Sequence, residues 1–133
     1  MNYVVAYIAT AVVFLGLDAL WLSKVALGMY RQELGSLLLE KPKLAVAGAF
    51  YLLYVAGIVV LAIVPALGGG GWVKVLLMGA VLGLVAYGTY DITNLSTLKG
   101  WSTRLALIDI AWGTALTAVS ATIGYWAVSA LNL

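Results

Sequence analysis

Four long apolar stretches alternate with shorter polar segments along the chain. The apolar stretches cover residues 3–22, 44–66, 72–95 and 104–131. A helix of about 20 apolar residues crosses the hydrocarbon core of a bilayer, so each stretch is long enough to span it. The pattern therefore predicts four transmembrane helices, which alternate in direction and form an antiparallel bundle. We expect one domain that covers residues 1–133.

The composition agrees with a membrane setting. Hydrophobic residues make up 65% of the chain and charged residues only 9%, and the mean hydropathy is +1.10. A water-soluble domain of this length could not expose so apolar a surface. We therefore expect an all-α integral membrane protein. The first stretch carries Asp18 where the cleavage region of a signal peptide holds small neutral residues, so we expect this stretch to remain as a helix.

The basic residues lie almost entirely on one side of the predicted membrane. Four of them lie between the first and second stretches and two between the third and fourth, whereas only Lys74 lies on the opposite side. The six are Lys24, Arg31, Lys41, Lys43, Lys99 and Arg104. Lys and Arg beside a span are retained in the cytoplasm. This bias predicts that both of these connections are cytoplasmic and that both termini face outward.

The longest connection predicts an additional helix at residues 25–40. Its apolar side chains recur at helical spacing, and its charged side chains point in other directions. The apolar positions are Leu27, Tyr30, Leu34, Leu37 and Leu38, and the charged ones include Arg31, Glu33, Glu40 and Lys41. We expect this segment to lie as an amphipathic helix in the cytoplasmic interface. A gate or a docking helix for a partner is the functional alternative.

All three aspartates of the chain lie within predicted spans. Asp18 and Asp91 each lie about 6 Å from the inner end of their helices, and Asp109 lies about 7.5 Å from the start of the fourth. The three carboxyl groups are therefore expected at a similar depth, near the cytoplasmic leaflet. An aspartate costs about 2.5–3.5 kcal/mol at the centre of a span and less near its edge, so a cation, a proton, a basic partner or hydrogen bonds must offset it.

Polar and aromatic residues accompany the aspartates. Each aspartate has a partner three residues further on, and this spacing places the two side chains on one face of the helix. The partners are Trp21, Asn94 and Trp112, and Tyr87 and Tyr90 accompany Asp91. The sequence thus predicts a binding pocket made of Asp18, Trp21, Tyr87, Tyr90, Asp91, Asn94, Asp109 and Trp112.

Small residues continue the Asp109 face along the fourth stretch. They are Gly113, Thr117, Ser120 and Gly124, and Gly79 and Gly83 form a similar pair in the third stretch. Small residues at this spacing let helices approach closely in a membrane. We interpret both sets as packing surfaces, with the lining of a passage as the alternative.

Three segments carry a resemblance to a known family. "FLGLDALWL", "YGTYDITNLSTLKGW" and "LALIDIAWGT" resemble, in this order, the signature segments of a bacterial family of small four-helix membrane proteins, domain of unknown function 2177. The resemblance covers essentially the whole chain. It implies a four-span protein of the bacterial inner membrane, and it assigns no reaction and no role to any aspartate.

Missing residue types exclude several kinds of chemistry. The chain has no Cys and no His, so it has no thiolate nucleophile, no histidine base and no zinc, haem or iron-sulfur site built from those ligands. We expect no cofactor and no metal; if a metal binds, the oxygens of Asp18, Asp91 and Asp109 would suit a hard cation such as Mg²⁺ or Ca²⁺. The net charge of +2 follows from the topology and indicates no nucleic-acid partner.

Three functions remain open from the sequence. The first and leading hypothesis is the binding or proton-coupled transport of a cationic or amphipathic small molecule, held by carboxylates against aromatic faces. Transport through so small a bundle would call for a homodimer. The second is an enzyme that modifies a lipid or isoprenoid, with one aspartate as base and another as acid. The third is a structural or accessory membrane subunit, whose aspartates hydrogen-bond across helices or pair with Lys24, Lys99 and Arg104.

Overall fold

The computed structural model describes residues 2–37 and 43–131, and every regular element in these residues is helical. Four helical spans are long and apolar enough to cross a membrane: Tyr3–Leu34, Leu44–Leu67, Gly71–Thr97 and Thr103–Ala130. We call them the first to the fourth span. The prediction of four long apolar helices is confirmed, and the largest difference from the predicted bounds is at the end of the first span.

Each span consists mainly of α-helix, and the first two also contain a short π-helical segment. In chain order the α-helices are α1 (Asn2–Trp21), α2 (Leu27–Leu34), α3 (Leu44–Ile58), α4 (Val64–Leu67), α5 (Gly71–Thr97) and α6 (Thr103–Ala130). The π-helical segments are Leu22–Ala26 and Val59–Ile63. A π-helical turn widens a helix locally without ending it, so the first and second spans are each continuous.

The predicted interfacial helix is an extension of the first span. Residues 25–34 continue from α1 through Leu22–Ala26 into α2, and residues 38–40 of the prediction lie outside the described residues. This segment holds no proline that would break the helix. Its one glycine, Gly28, adopts a helical conformation within α2, so the helix continues. It ends at Gly35, whose φ of 53° is incompatible with an α-helix. The separate amphipathic helix is therefore corrected to a longer first span.

Short connections join the later spans. Gly69 and Gly70, between the second and third spans, and Gly71, the first residue of the third, have φ angles of 146°, 99° and 66°. These angles favour glycine because it has no Cβ. Between the third and fourth spans, the Ser102 hydroxyl accepts a hydrogen bond from the backbone N–H of Leu105 at 3.1 Å and so caps the fourth helix. Neighbouring spans are thereby held antiparallel.

The third and fourth spans make the most extensive contact of the bundle. A Cβ added at Gly79 would lie 3.0 Å from Cα of Ala118, and one added at Gly83 would meet the carbonyl oxygen of Gly113. Thr117 lies against both glycine positions. Gly79, Gly83, Gly113 and Thr117 therefore pack these two helices together, as the packing interpretation predicts. Gly124 instead lies against Thr10 of the first span and Ile63 of the second.

The second span packs unevenly along its length. We call the inner end of the bundle the end at which the first span connects to the second and the third to the fourth. Toward the opposite, outer end, Ile58 and Ile63 of the second span are fully buried in the core. Toward the inner end, Leu44, Val46 and Phe50 are 75%, 67% and 60% exposed. The beginning of this span, residues 44–50, stands apart from the third and fourth spans, and a space remains between them.

We expect the substitution Gly83→Ala to destabilise the bundle. The added methyl group would meet backbone atoms of Gly113 and Thr114, which cannot move without the fourth span, and overpacking of this kind costs about 1–3 kcal/mol. The matched control is Gly88→Ala on the same helix, where nothing lies within 4 Å of the added Cβ. Denaturant unfolding of the purified protein, followed by circular dichroism, measures the difference. Equal stability of the two variants would contradict the close helix contact.

Candidate functional site

A cavity of about 750 Å³ lies toward the inner end of the bundle, among all four spans. Aromatic side chains form much of its wall, and they include Phe14, Trp21, Phe50, Tyr51, Tyr54 and Tyr87. The carboxyl-bearing residues Asp18 and Asp109 also line it. A concave, mostly apolar space with a few polar groups is the usual form of a small-molecule site. This cavity is therefore the candidate functional site.

Asp18 is held by an indole of the fourth span. The residue is 6% exposed, and Nε1–H of Trp112 donates a hydrogen bond to its Oδ1 at 3.2 Å. Trp112 also stacks on Trp21, with ring centroids 4.5 Å apart and ring planes 7° from parallel. The first and fourth spans are thus joined beside the cavity by a stacked indole pair, which fixes the donor that orients Asp18.

Asp109 is held by the extension of the first span. The Tyr30 hydroxyl donates a hydrogen bond to Oδ1 of Asp109 at 3.1 Å. Near this contact, Arg104 and Glu33 form an ion pair with an N···O distance of 3.7 Å. Tyr30 and Glu33 both belong to α2, so α2 contacts the beginning of the fourth span. Tyr30, which the sequence predicts in an interfacial helix, instead lines the cavity.

Asp91 is buried beside Asp109 and does not line the cavity. The residue is 1% exposed, and it lies on the face of the third span that contacts the fourth, in line with Gly83 and Tyr87. Among the described residues, no group donates a hydrogen bond to either carboxyl oxygen of Asp91. Asp91 lies about two helical turns beyond Gly83 on the third span, and Asp109 lies about one turn before Gly113 on the fourth. Because Gly83 contacts Gly113 and the two spans are antiparallel, the two aspartates lie at a similar level.

A second group of tyrosines lies deeper in the bundle. The hydroxyl oxygens of Tyr54 and Thr117 are 2.9 Å apart and share a hydrogen bond. The rings of Tyr54 and Tyr87 meet edge to face, with centroids 6.2 Å apart. The Tyr87 ring lies directly against Gly113, where any side chain would collide with it. Gly113 therefore shapes the cavity wall as well as the helix contact.

Basic side chains do not neutralise the aspartates in the part of the chain that the structure describes. The ion pair found in residues 2–37 and 43–131 joins Arg104 to Glu33, so the predicted pairing of the aspartates with Lys24, Lys99 and Arg104 is not formed in these residues. The three aspartates must therefore be stabilised by hydrogen bonds, by protons or by a ligand.

The aspartates named as possible ligands of a hard cation lie on three different spans. Within the described residues, no three acidic side chains converge in a way that could hold a metal ion. The reason is geometric: Asp18 is oriented toward Trp112, whereas Asp91 faces Asp109. The three carboxyl groups share a region of the bundle without sharing one centre.

The fold brings most of the predicted pocket residues together. Five of the eight line the cavity, namely Asp18, Trp21, Tyr87, Tyr90 and Asp109. Trp112 stacks on Trp21, and Asp91 lies against Asp109, both outside the cavity wall. Asn94 is half-buried and also lies outside the wall.

Tyrosines of the first and second spans complete the wall, and the sequence pattern did not assign them to the pocket. It predicts Tyr30 in an interfacial helix and gives no role to Tyr51 and Tyr54. A signal for the latter two is present in "FYLLY", where they are three residues apart and carry the only hydroxyl groups of the second span. This spacing places both on one helix face.

The family model described as predicted membrane protein (DUF2177) matches residues 3–126. No curated protein and no solved structure matches the chain. The cavity and all three aspartates lie within the matched range.

Proposed function

The chain belongs to the family of predicted membrane proteins DUF2177, and we propose that this multi-pass membrane protein binds a lipophilic organic cation in the cavity near its inner end. The ligand class includes amphipathic molecules with a cationic group. The geometry of the cavity supports ligand binding best. Proton-coupled transport of the same ligand would require this binding as its first step.

The observation that carries the proposal is the combination of acidic and aromatic groups around one cavity. Asp18 and Asp109 line the same space as the rings of Trp21 and Tyr87. No Lys or Arg in the described residues forms an ion pair with these carboxyl groups. An organic cation would gain Coulomb attraction there, and contact with an aromatic face contributes about 2 kcal/mol or more when desolvated. A neutral hydrocarbon would gain neither interaction.

The position of the cavity supports a ligand that partitions into the bilayer. Val46 and Phe50 line the cavity and are also largely exposed on the surface of the bundle. In a membrane, that surface faces lipid. A lipophilic cation is attracted to the anionic cytoplasmic leaflet, and it could enter the cavity past the inner half of the second span.

A lipid-modifying enzyme is the second candidate, and the same lateral opening favours it. A lipid headgroup near the inner end would meet Asp109 and Tyr30, which are hydrogen-bonded at 3.1 Å. In this role one aspartate would act as general base and another as general acid. The lipid extract of a deletion strain separates the two candidates. An enzyme leaves a missing or accumulated lipid species, whereas cation binding leaves the lipid composition unchanged.

We also propose that both connections at the inner end face the cytoplasm and that the membrane is a bacterial inner membrane. Six of the seven basic residues lie on this side. Single-cysteine labelling tests the orientation, because the chain has no cysteine of its own. In spheroplasts, we expect a membrane-impermeant maleimide to label Gly68→Cys and to label Leu98→Cys only after permeabilisation. The opposite labelling pattern would overturn this orientation.

Binding of tetraphenylphosphonium, a lipophilic cation of fixed charge, tests the ligand class. We expect Asp18→Asn and Asp109→Asn each to weaken binding about tenfold or more, because each removes a charge from a poorly screened site. The matched control is Glu33→Gln, which removes a carboxylate near the same end of the bundle but outside the cavity wall. Equilibrium dialysis against protein in lipid nanodiscs gives the Kd.

The control variant should bind within about twofold of the wild type, because an exposed ion pair contributes little. Unchanged affinity in both aspartate variants, with helical circular dichroism intact, would reject the proposed site. Equal weakening in all three variants would also reject it, since the effect would then reflect overall charge and not the cavity.

A further inference from the structure

Asp91 is a buried carboxyl group that the proposed cation would not touch. It is 1% exposed and absent from the cavity wall. Within residues 2–37 and 43–131, neither of its carboxyl oxygens accepts a hydrogen bond from a donor group. A buried carboxylate without a donor or a counterion is costly. Another interaction must therefore stabilise Asp91.

The neighbouring carboxyl group of Asp109 can supply that interaction. The close contact of Gly83 and Tyr87 with Gly113 brings Asp91 and Asp109 to the same level on facing helices, so the two carboxyl groups are neighbours. An ionised carboxylate can only accept hydrogen bonds, whereas a protonated one also donates. Two ionised carboxylates in contact would repel and share no hydrogen bond. One proton between them gives each group a partner and removes one of the two charges.

We propose that Asp91 and Asp109, the carboxyl pair, hold one shared proton while the cavity is empty, and that a cation bound beside Asp109 displaces it. The displacement rests on the proposed function, whereas the shared proton does not. On binding, the O–H bond of the carboxyl pair breaks and the proton passes to water at the inner end. The pair changes from one negative charge to two, and the cation restores the original net charge of the site.

Among the described residues, no Lys or Arg forms an ion pair with either carboxyl group of the pair. The neighbouring titratable groups are Asp18 and Tyr30 from the first span, Tyr51 from the second, and Tyr87 and Tyr90 from the third. Tyrosines are neutral hydrogen-bond donors at ordinary pH. Among the described side chains, Arg104 forms its ion pair with Glu33 and not with the carboxyl pair.

Asp18 differs from the carboxyl pair in its partner. It accepts a hydrogen bond from the Trp112 indole, which can donate but cannot accept. A donor of this kind favours the ionised form of its partner. Asp18 therefore contributes an oriented carboxyl group to the cavity, and Asp91 contributes the exchangeable proton. Asp109 lies between these two roles, because it lines the cavity and is also at the level of Asp91 on the facing helix.

Infrared spectroscopy of the protein in lipid tests the shared proton without any ligand. At neutral pH, we expect the carbonyl band of a protonated carboxyl group in the wild type and in Asp18→Asn. We expect its loss in Asp91→Asn, because the asparagine amide can donate to Asp109 and leave it ionised. Asp18→Asn is the matched control, since it removes a carboxyl group from the same cavity region. No band in the wild type, or a band that persists in Asp91→Asn, would overturn the proposal.

Proton release on binding tests the displacement. Tetraphenylphosphonium added to weakly buffered protein in nanodiscs should release about one proton per cation bound, so that affinity rises about tenfold per pH unit. Asp91→Asn should bind the cation without releasing a proton. Wild-type binding without proton release would overturn the displacement, even if the variant failed to fold. No binding, with the infrared band present, would reject the proposed function and support the shared proton.

Discussion

The close contact between the third and fourth spans determines what the bundle presents at its inner end. At Gly79 and Gly83 the fourth span approaches so closely that a Cβ would have to displace backbone or side-chain atoms. Further along the same two helices, this approach places Asp91 against Asp109. Gly113 at the same contact leaves room for the Tyr87 ring. Residues 44–50 of the second span do not join this contact, and the cavity occupies the space that remains.

The energetics of the aspartates favour a ligand or a proton over a purely structural role. An aspartate within a span costs up to about 2.5–3.5 kcal/mol, whereas a side-chain hydrogen bond between membrane helices contributes about 0.6 kcal/mol on average. Asp18 and Asp109 each accept one side-chain hydrogen bond, from Trp112 and Tyr30 respectively. Location near the inner end lowers the cost but does not remove it. A cation in the cavity and a proton on the carboxyl pair would offset the part of this free-energy cost that the hydrogen bonds do not.

Local sequence patterns predict the spans and the helix contact well, because both depend on residues close together in the chain. Apolar length sets the spans, and the four-residue spacing of Gly79 and Gly83 marks the packing surface. The same reasoning groups Asp18, Trp21 and Asp109, since depth in a membrane follows from distance along a helix. The end of the first span was mispredicted because a change from apolar to charged residues does not end a helix; Gly35 does.

Contacts between distant parts of the chain could not be predicted in this way. The bond from Tyr30 to Asp109 joins residues 79 positions apart, and it depends on α2 continuing along the axis of the first span. Asp91 shares its depth with Asp18, yet the rotation of the third span turns it toward Asp109 and away from the cavity. Packing against neighbouring helices sets how a helix is rotated about its own axis. The spacing of residues within one helix does not predict this rotation.

A crystal structure grown from a lipid phase with tetraphenylphosphonium tests the central claim most directly. The account predicts density for the cation within the cavity, between the carboxyl groups of Asp18 and Asp109 and against the Trp21 ring. Lipid chains in the cavity, with the same carboxyl groups turned toward Lys24 or the headgroups, would contradict it.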